Sequence, residues 1–292
     1  MALITRKKGQ FPMHLDARPT RRTFLWQLSA LGIASAGPAR LTAQAGSALD
    51  APINLKSIEE QAAHIPAGDT LLKFGPDGAR VPFAGNTVIC HLPVQCAMRD
   101  AMVALHDELS QSPLVHKLGL TSTDSYHMTV FAGANDQGRS VYGWPSYVPI
   151  DATIEECNRL VGERMAATQF HCRLPVRVRV DVAATLNYFS ACTLRLVPAD
   201  SGENRKLRTL RDQLAKVYGF RAKDHDQYEF HMTMSYQVAR FTEPEQVLYR
   251  AILRAHLRSI VAAAPVLELG EPEYCVFADM LRFEPKTLLA CT

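Results

Sequence analysis

Two short segments of this 292-residue chain carry the same residue types in the same order: Tyr126-His127-Met128-Thr129-Val130 and Phe230-His231-Met232-Thr233-Met234. Side chains alternate between the faces of a β-strand, so His127 and Thr129 share one face while Tyr126, Met128 and Val130 share the other. His231 and Thr233 are related in the same way. Each segment thus offers one imidazole and one hydroxyl on one side and an apolar surface for a core on the other. Two imidazoles and two hydroxyls suit the cleavage of a phosphodiester. A base must take a proton from the attacking oxygen while an acid protonates the departing oxygen on the opposite side. Histidine titrates near neutrality, so one neutral and one protonated imidazole can coexist there. The Thr129 and Thr233 hydroxyls can donate to the non-bridging phosphate oxygens, where charge builds in the transition state. The scheme needs no metal or cofactor, and neither motif has the His-x-His or His-Glu-x-x-His spacing of a zinc site.

The elements that must position these residues follow from hydrophobic periodicity. Strands are predicted over 86–93, 126–133, 175–186, 189–197, 230–237 and 273–283, and helices over 96–111, 154–167, 204–219 and 243–264. A repeat lies within this order. Strand 86–93, the helix from Cys96 and the His127 strand parallel strand 189–197, the helix from Asn204 and the His231 strand. Leu92 precedes His127 by 35 residues, as Leu196 precedes His231. Two such units can pack as pseudo-symmetric lobes about a cleft, in one interdigitated domain over residues 70–292. Residues 46–69, with Ala51-Pro52 and Pro66-Ala67-Gly68-Asp69, read as an irregular segment lying on it.

Composition is ordinary for a globular protein, 47% hydrophobic and 21% charged, with a net charge of +3. Seven of the 32 basic residues and one of the 29 acidic residues precede Ala45, leaving 25 basic against 28 acidic and a net −3 for the remainder. That balance gives no electrostatic reason to expect binding to long duplex nucleic acid. Residues 1–45 read as an address: Thr20-Arg21-Arg22-Thr23-Phe24-Leu25 resembles a twin-arginine export signal, an apolar stretch follows to Ala36, and Ala43-Gln44-Ala45 is a small-x-small cleavage site. Export by the twin-arginine translocase to the periplasm is expected, with Met13 an alternative start. Seven cysteines without a C-x-x-C pair argue against a disulfide framework or zinc knuckle.

The paired His-x-Thr motifs in a duplicated scaffold resemble the two-histidine (2H) phosphoesterase superfamily, which includes 2′-5′ RNA ligase-like proteins and cyclic phosphodiesterases. The block Val81-Pro82-Phe83-Ala84-Gly85-Asn86-Thr87-Val88-Ile89-Cys90-His91-Leu92-Pro93 further resembles a bacterial branch of it. The resemblance spans roughly residues 70–285. It implies an α+β fold with two pseudo-symmetric lobes and mostly antiparallel sheets around a central cleft. It also implies catalysis by His127 and His231, phosphate binding by Thr129 and Thr233, and a small nucleotide-like phosphodiester as substrate, 2′,3′-cyclic among the candidates. The chain departs from the smaller, more basic RNA-processing members, so their RNA substrates do not carry over.

Further candidates stand beside ordinary structural readings. His91 and Arg195 occupy equivalent repeat positions, and either can donate to a phosphate or simply be a partnered strand residue. Tyr236 falls by parity on the face of Met232 and Met234, away from the histidines unless a bulge intervenes. The loop with Arg139, Tyr142, Trp144 and Tyr147 reads as packing over the core, and Arg221, Lys223 and His225 as a solvated turn. The alternatives to a metal-independent hydrolase are a non-catalytic periplasmic binding module for a phosphorylated ligand and a metal-dependent hydrolase. A monomer is expected.

Overall fold

The repeat takes shape through two antiparallel strand pairs whose registers match residue for residue. The computed structural model describes Leu49 and residues 53–292; the leader expected over 1–45 lies outside the described residues. In chain order, the first half contains α1 (Leu55–Ala62), α2 (Thr70–Lys73), β1 (Gly85–His91), α3 (Ala97–Gln111), β2 (Leu118–Leu120), β3 (His127–Asn135), α4 (Ile154–Ala166) and β4 (Gln169–Phe170). The second contains β5 (Val176–Val180), α5 (Val182–Leu186), β6 (Ala191–Pro198), α6 (Ser201–Tyr218), β7 (His231–Gln237), α7 (Glu243–Ala263), β8 (Leu267–Leu269), β9 (Glu273–Phe277), β10 (Glu284–Leu288) and β11 (Ala290–Cys291).

β1 pairs with β3, setting His91 opposite His127 and Cys90 opposite Met128; β6 pairs with β7, setting Arg195 opposite His231 and Leu194 opposite Met232. Even the flanking bonds correspond, since Leu92 N–H donates to the Tyr126 carbonyl and Leu196 N–H to the Phe230 carbonyl, both at 2.8 Å. The fold is α+β. One large sheet has the strand order β10-β9-β1-β3 and a second β2-β7-β6-β5-β8, both antiparallel, while β4 and β11 form a two-stranded parallel sheet. β2, from the first half of the chain, sits in the second sheet, and β9 and β10, from the C-terminal end, complete the first. The lobes are therefore interdigitated.

The helices cover the apolar strand faces. Met98, Met102, Leu105 and Leu109 form the buried stripe of α3 at helical spacing, and α3 lies along α7. α6 starts where the Asp200 carboxylate accepts the Glu203 N–H, and ends at Gly219, whose φ of 71° is the left-handed conformation that glycine adopts without a Cβ clash. Its buried Leu207, Leu210 and Leu214 pack it against strands of both sheets.

Three expectations are corrected. Residues 46–69 are not wholly irregular: Asn54 caps α1 by accepting the Ser57 N–H, and Ile58 and Ala62 bury one face. Gln61 then ties α1 to the second lobe, donating to the Asn187 carbonyl and accepting from Phe189 N–H. The strand expected over 175–186 stops at Val180, because the Asp181 carboxylate accepts from Ala184 N–H and starts α5. The strand expected over 273–283 ends at Phe277, and a separate β10 returns beside it.

Candidate active site

Both motif strands carry a β-bulge at an equivalent position, and β3 has a second register shift, between Gly85 and Thr87 of its partner. Along β3 the register slips between Val88 and Ile89, leaving Val130 as the extra residue; along β7 it slips between Cys192 and Thr193, leaving Met234. A bulge reverses the facing of every residue beyond it. Tyr236 consequently turns onto the face of His231 and Thr233 and lines the cleft, contrary to the parity expectation, and Ala132 does the same in β3. The carbonyls that the bulges release from the ladder find other donors. Arg211, fully buried, donates to the Val130 carbonyl at 2.6 Å, and Thr121 donates to that of Met234 through its N–H at 3.0 Å and its hydroxyl at 2.9 Å.

Between the strands lies a cavity of about 280 Å³, whose lining includes His127, Thr129, His231, Thr233, Lys73 and Tyr236. The structure thus brings the four motif residues together. His127 Nδ1 lies 2.5 Å from the Ser125 carbonyl and His231 Nδ1 2.8 Å from the Glu229 carbonyl. A carbonyl only accepts, so each Nδ1 carries the proton and each Nε2 is left with a free lone pair. Thr193 donates to the Thr233 hydroxyl at 3.3 Å, and the Tyr228 hydroxyl hydrogen-bonds the Thr129 side chain. The His127 ring packs against Phe283 at 4.3 Å between centroids, and Phe83, Phe277 and Met280 continue that apolar wall.

Burial, aided by repulsion from His91 and His231 and opposed by the Ser125 carbonyl bond, brings the His127 pKa down to about 4. Burial, with the cationic Arg195 and Lys73 nearby, brings His231 down to about 4 as well. These shifts favour the neutral form of both imidazoles near pH 7. Charged imidazolium lacks a partner in the cleft, so desolvation prevails.

Of the two further candidates, His91 directs Nδ1 at the Glu273 carboxylate at 3.0 Å and sets its ring edge-on to His127 at 6.2 Å, outside the cavity lining. Arg195 pairs with Glu229 and lies over the Tyr188 ring at 4.9 Å, lining a second cavity that adjoins the first. Lys73 was not anticipated. Its ammonium pairs with Asp69 at 2.8 Å and sits 5.3 and 5.0 Å from the Phe83 and Tyr236 ring centroids. Burial opposes its charge, but Tyr236 and Asp69 outweigh that and raise its pKa. No local motif marks Lys73, because only the packing of α2 across the cleft gives it a role.

The remaining sequence candidates serve the fold. Trp144 is buried and its indole donates to the Val148 and Pro149 carbonyls, with the Arg139 guanidinium 4.3 Å from the ring. Arg221 pairs with Asp212 and Asp226, while His225, expected on a solvated turn, is buried against Asp212. All seven cysteines are free thiols. One grouping of metal-ligand type exists among the described residues, His91, Glu273 and Cys275, with donor atoms within 4.8 Å of one another. Cys275 is buried, and that burial raises its pKa.

Two interdigitated α+β lobes with a His-x-Thr strand from each at one cleft are consistent with the two-histidine phosphoesterase fold. Residues 73–188 match the family model 2H-phosphodiest, described as a domain of unknown function (DUF1868). The matched segment contains His127, and His231 lies beyond it. A solved structure of a conserved protein of unknown function from Agrobacterium tumefaciens str. C58 is similar at 29% sequence identity, with a TM-score of 0.66 over 74% of this chain and 90% of that one. No curated protein matches. These comparisons support a phosphoesterase-like function.

Proposed function

We propose that the cleft cleaves a phosphodiester without a metal, through His127 and His231 as an acid–base pair, on a small nucleotide-like substrate such as a 2′,3′-cyclic phosphate. The observation that carries this reading is the pair of Nε2 lone pairs, each fixed by an equivalent carbonyl bond to Nδ1, at one cavity with two threonine hydroxyls. In the reaction one Nε2 takes a proton from water as the water oxygen bonds to phosphorus. The other imidazole, protonated beforehand, gives its proton to the ribose oxygen as the P–O bond breaks, and the product is a phosphomonoester with a free hydroxyl. Thr129 and Thr233 donate to the non-bridging oxygens. The negative charge of the bound substrate supplies the partner an imidazolium otherwise lacks, and raises the pKa of one ring.

A second reading, a binding module for a phosphorylated ligand, draws on the lowered pKa of both rings. Incubation with 2′,3′-cyclic AMP separates the two, since the hydrolase yields adenosine monophosphate and a binder returns the ligand intact. Turnover that survives EDTA supports the metal-free scheme; loss in EDTA with recovery on zinc would transfer the chemistry to a metal. The export reading rests on Arg21 and Arg22, and normal translocation of a reporter carrying R21K and R22K would overturn it.

A further inference from the structure

The cleft is unequal about its two histidines, and the inequality is one of charge. Beside His127 the walls are apolar, and the repeat position that faces it holds His91, bonded to Glu273. Beside His231 the equivalent position holds Arg195. A second cavity of about 270 Å³ opens there, sharing Asp69, Lys73, His231, Thr233 and Tyr236 with the first and running on past Tyr188, Ser190, Thr193 and Arg195.

Its two cations are built alike. The Arg195 side chain is 13% exposed and lies on the Tyr188 ring; that of Lys73 is 15% exposed and lies between Phe83 and Tyr236. Their carboxylate partners are the reverse, Glu229 at 75% and Asp69 at 51% exposure. Aromatic rings, Phe83 buried and Tyr188 and Tyr236 half-buried, fix the cations, while the acids are largely in water, where an ion pair contributes little. An incoming anion can replace either carboxylate at small loss, because the displaced acid is already largely hydrated. The guanidinium fork, the ammonium and the Ser190 hydroxyl together offer more donors than a carboxylate uses, and they match the three oxygens of a phosphoryl group.

We propose that this second cavity is a subsite for a second phosphoryl group of the substrate, held by Arg195 with Lys73 at the junction of the two cavities. The substrate class is then a nucleotide phosphodiester that bears a further phosphoryl group, its base lying toward the Phe83, Phe277 and Phe283 wall. The assignment of the first cavity to the phosphodiester rests on the reading above; the anion subsite itself does not.

The test is calorimetric titration of the full chain with adenosine 2′-monophosphate and adenosine 2′,5′-bisphosphate at one fixed salt concentration, because neither ligand requires turnover. The bisphosphate should bind the wild-type protein about tenfold more tightly or better. In R195Q that advantage should fall to within about twofold, and in E229Q, which removes the competing acid and keeps the backbone carbonyl on His231, it should grow. Equal affinities in the wild type, an undiminished advantage in R195Q, or no binding of either nucleotide would overturn the subsite. If R195Q does not fold, an advantage that fails to grow in E229Q overturns it. A bisphosphate advantage without hydrolysis of 2′,3′-cyclic AMP would leave the subsite standing and remove the phosphodiesterase reading. Hydrolysis without the advantage would do the opposite.

Discussion

His127 and His231 make the same bond 104 residues apart, each Nδ1 donating to the carbonyl two residues before it, Ser125 at 2.5 Å and Glu229 at 2.8 Å. The equivalence extends to the bulges that follow each histidine, so the two imidazoles are oriented by backbone geometry that the repeat duplicates.

Their low pKa values give an expectation for rate against pH. kcat/KM reports the free protein and kcat the substrate complex. Burial brings both rings to about 4, and an anionic substrate should raise one of them. The kcat/KM profile should be bell-shaped with its maximum on the acid side of neutrality, and the kcat maximum should lie at higher pH. Coincident profiles would contradict the proposed effect of substrate charge.

Stability should follow the same shifts. An unfolded histidine titrates near about 6.5, while the folded rings titrate near 4. As pH falls through that window the unfolded chain takes up protons that the folded cleft refuses, and stability is lost. Melting temperature should therefore drop between these pH values in the wild type and drop less in a H127Q/H231Q protein. An identical slope in both would show that other groups govern it.

Much of this was legible in the sequence because the informative signals repeat. The period-two pattern of the motifs and the matched 35-residue spacings gave the lobes, the antiparallel pairing and the meeting of His127, Thr129, His231 and Thr233. Tyr236 was missed because one extra residue at Met234 reverses strand parity, and nothing in the local composition marks that residue. Lys73 was missed because its surroundings are assembled from Phe83, Tyr236 and Asp69, which no spacing rule links. The lowered imidazole pKa values come from burial, which a motif alone does not report.

Arg211 should prove important well away from the reacting atoms. It satisfies the Val130 carbonyl at the β3 bulge, and that bulge sets the face on which β3 continues along the cleft. R211M leaves that buried carbonyl without a donor, which costs about 1–3 kcal/mol. Urea unfolding should register the loss, with turnover reduced alongside it. Wild-type stability would mean that the carbonyl finds water.

The two threonines should matter less than the histidines. T129V or T233V removes one hydroxyl from a charged phosphate while other donors remain, a loss of about 1.5–3 kcal/mol in transition-state stabilisation. Steady-state kinetics on a cyclic nucleotide should find it mainly in kcat, because charge on the non-bridging oxygens grows as the bond breaks. A change confined to KM would assign the hydroxyls to ground-state binding.

The most direct test of the central claim is single-turnover hydrolysis of 2′,3′-cyclic AMP by the wild type, H127A, H231A and the double variant. Each single replacement should lower the rate by about 100-fold or more, and the double variant should be far less than multiplicatively worse, because an acid and a base that serve one transition state fail together. Wild-type turnover retained in both single variants would make the paired motif structural and contradict the account.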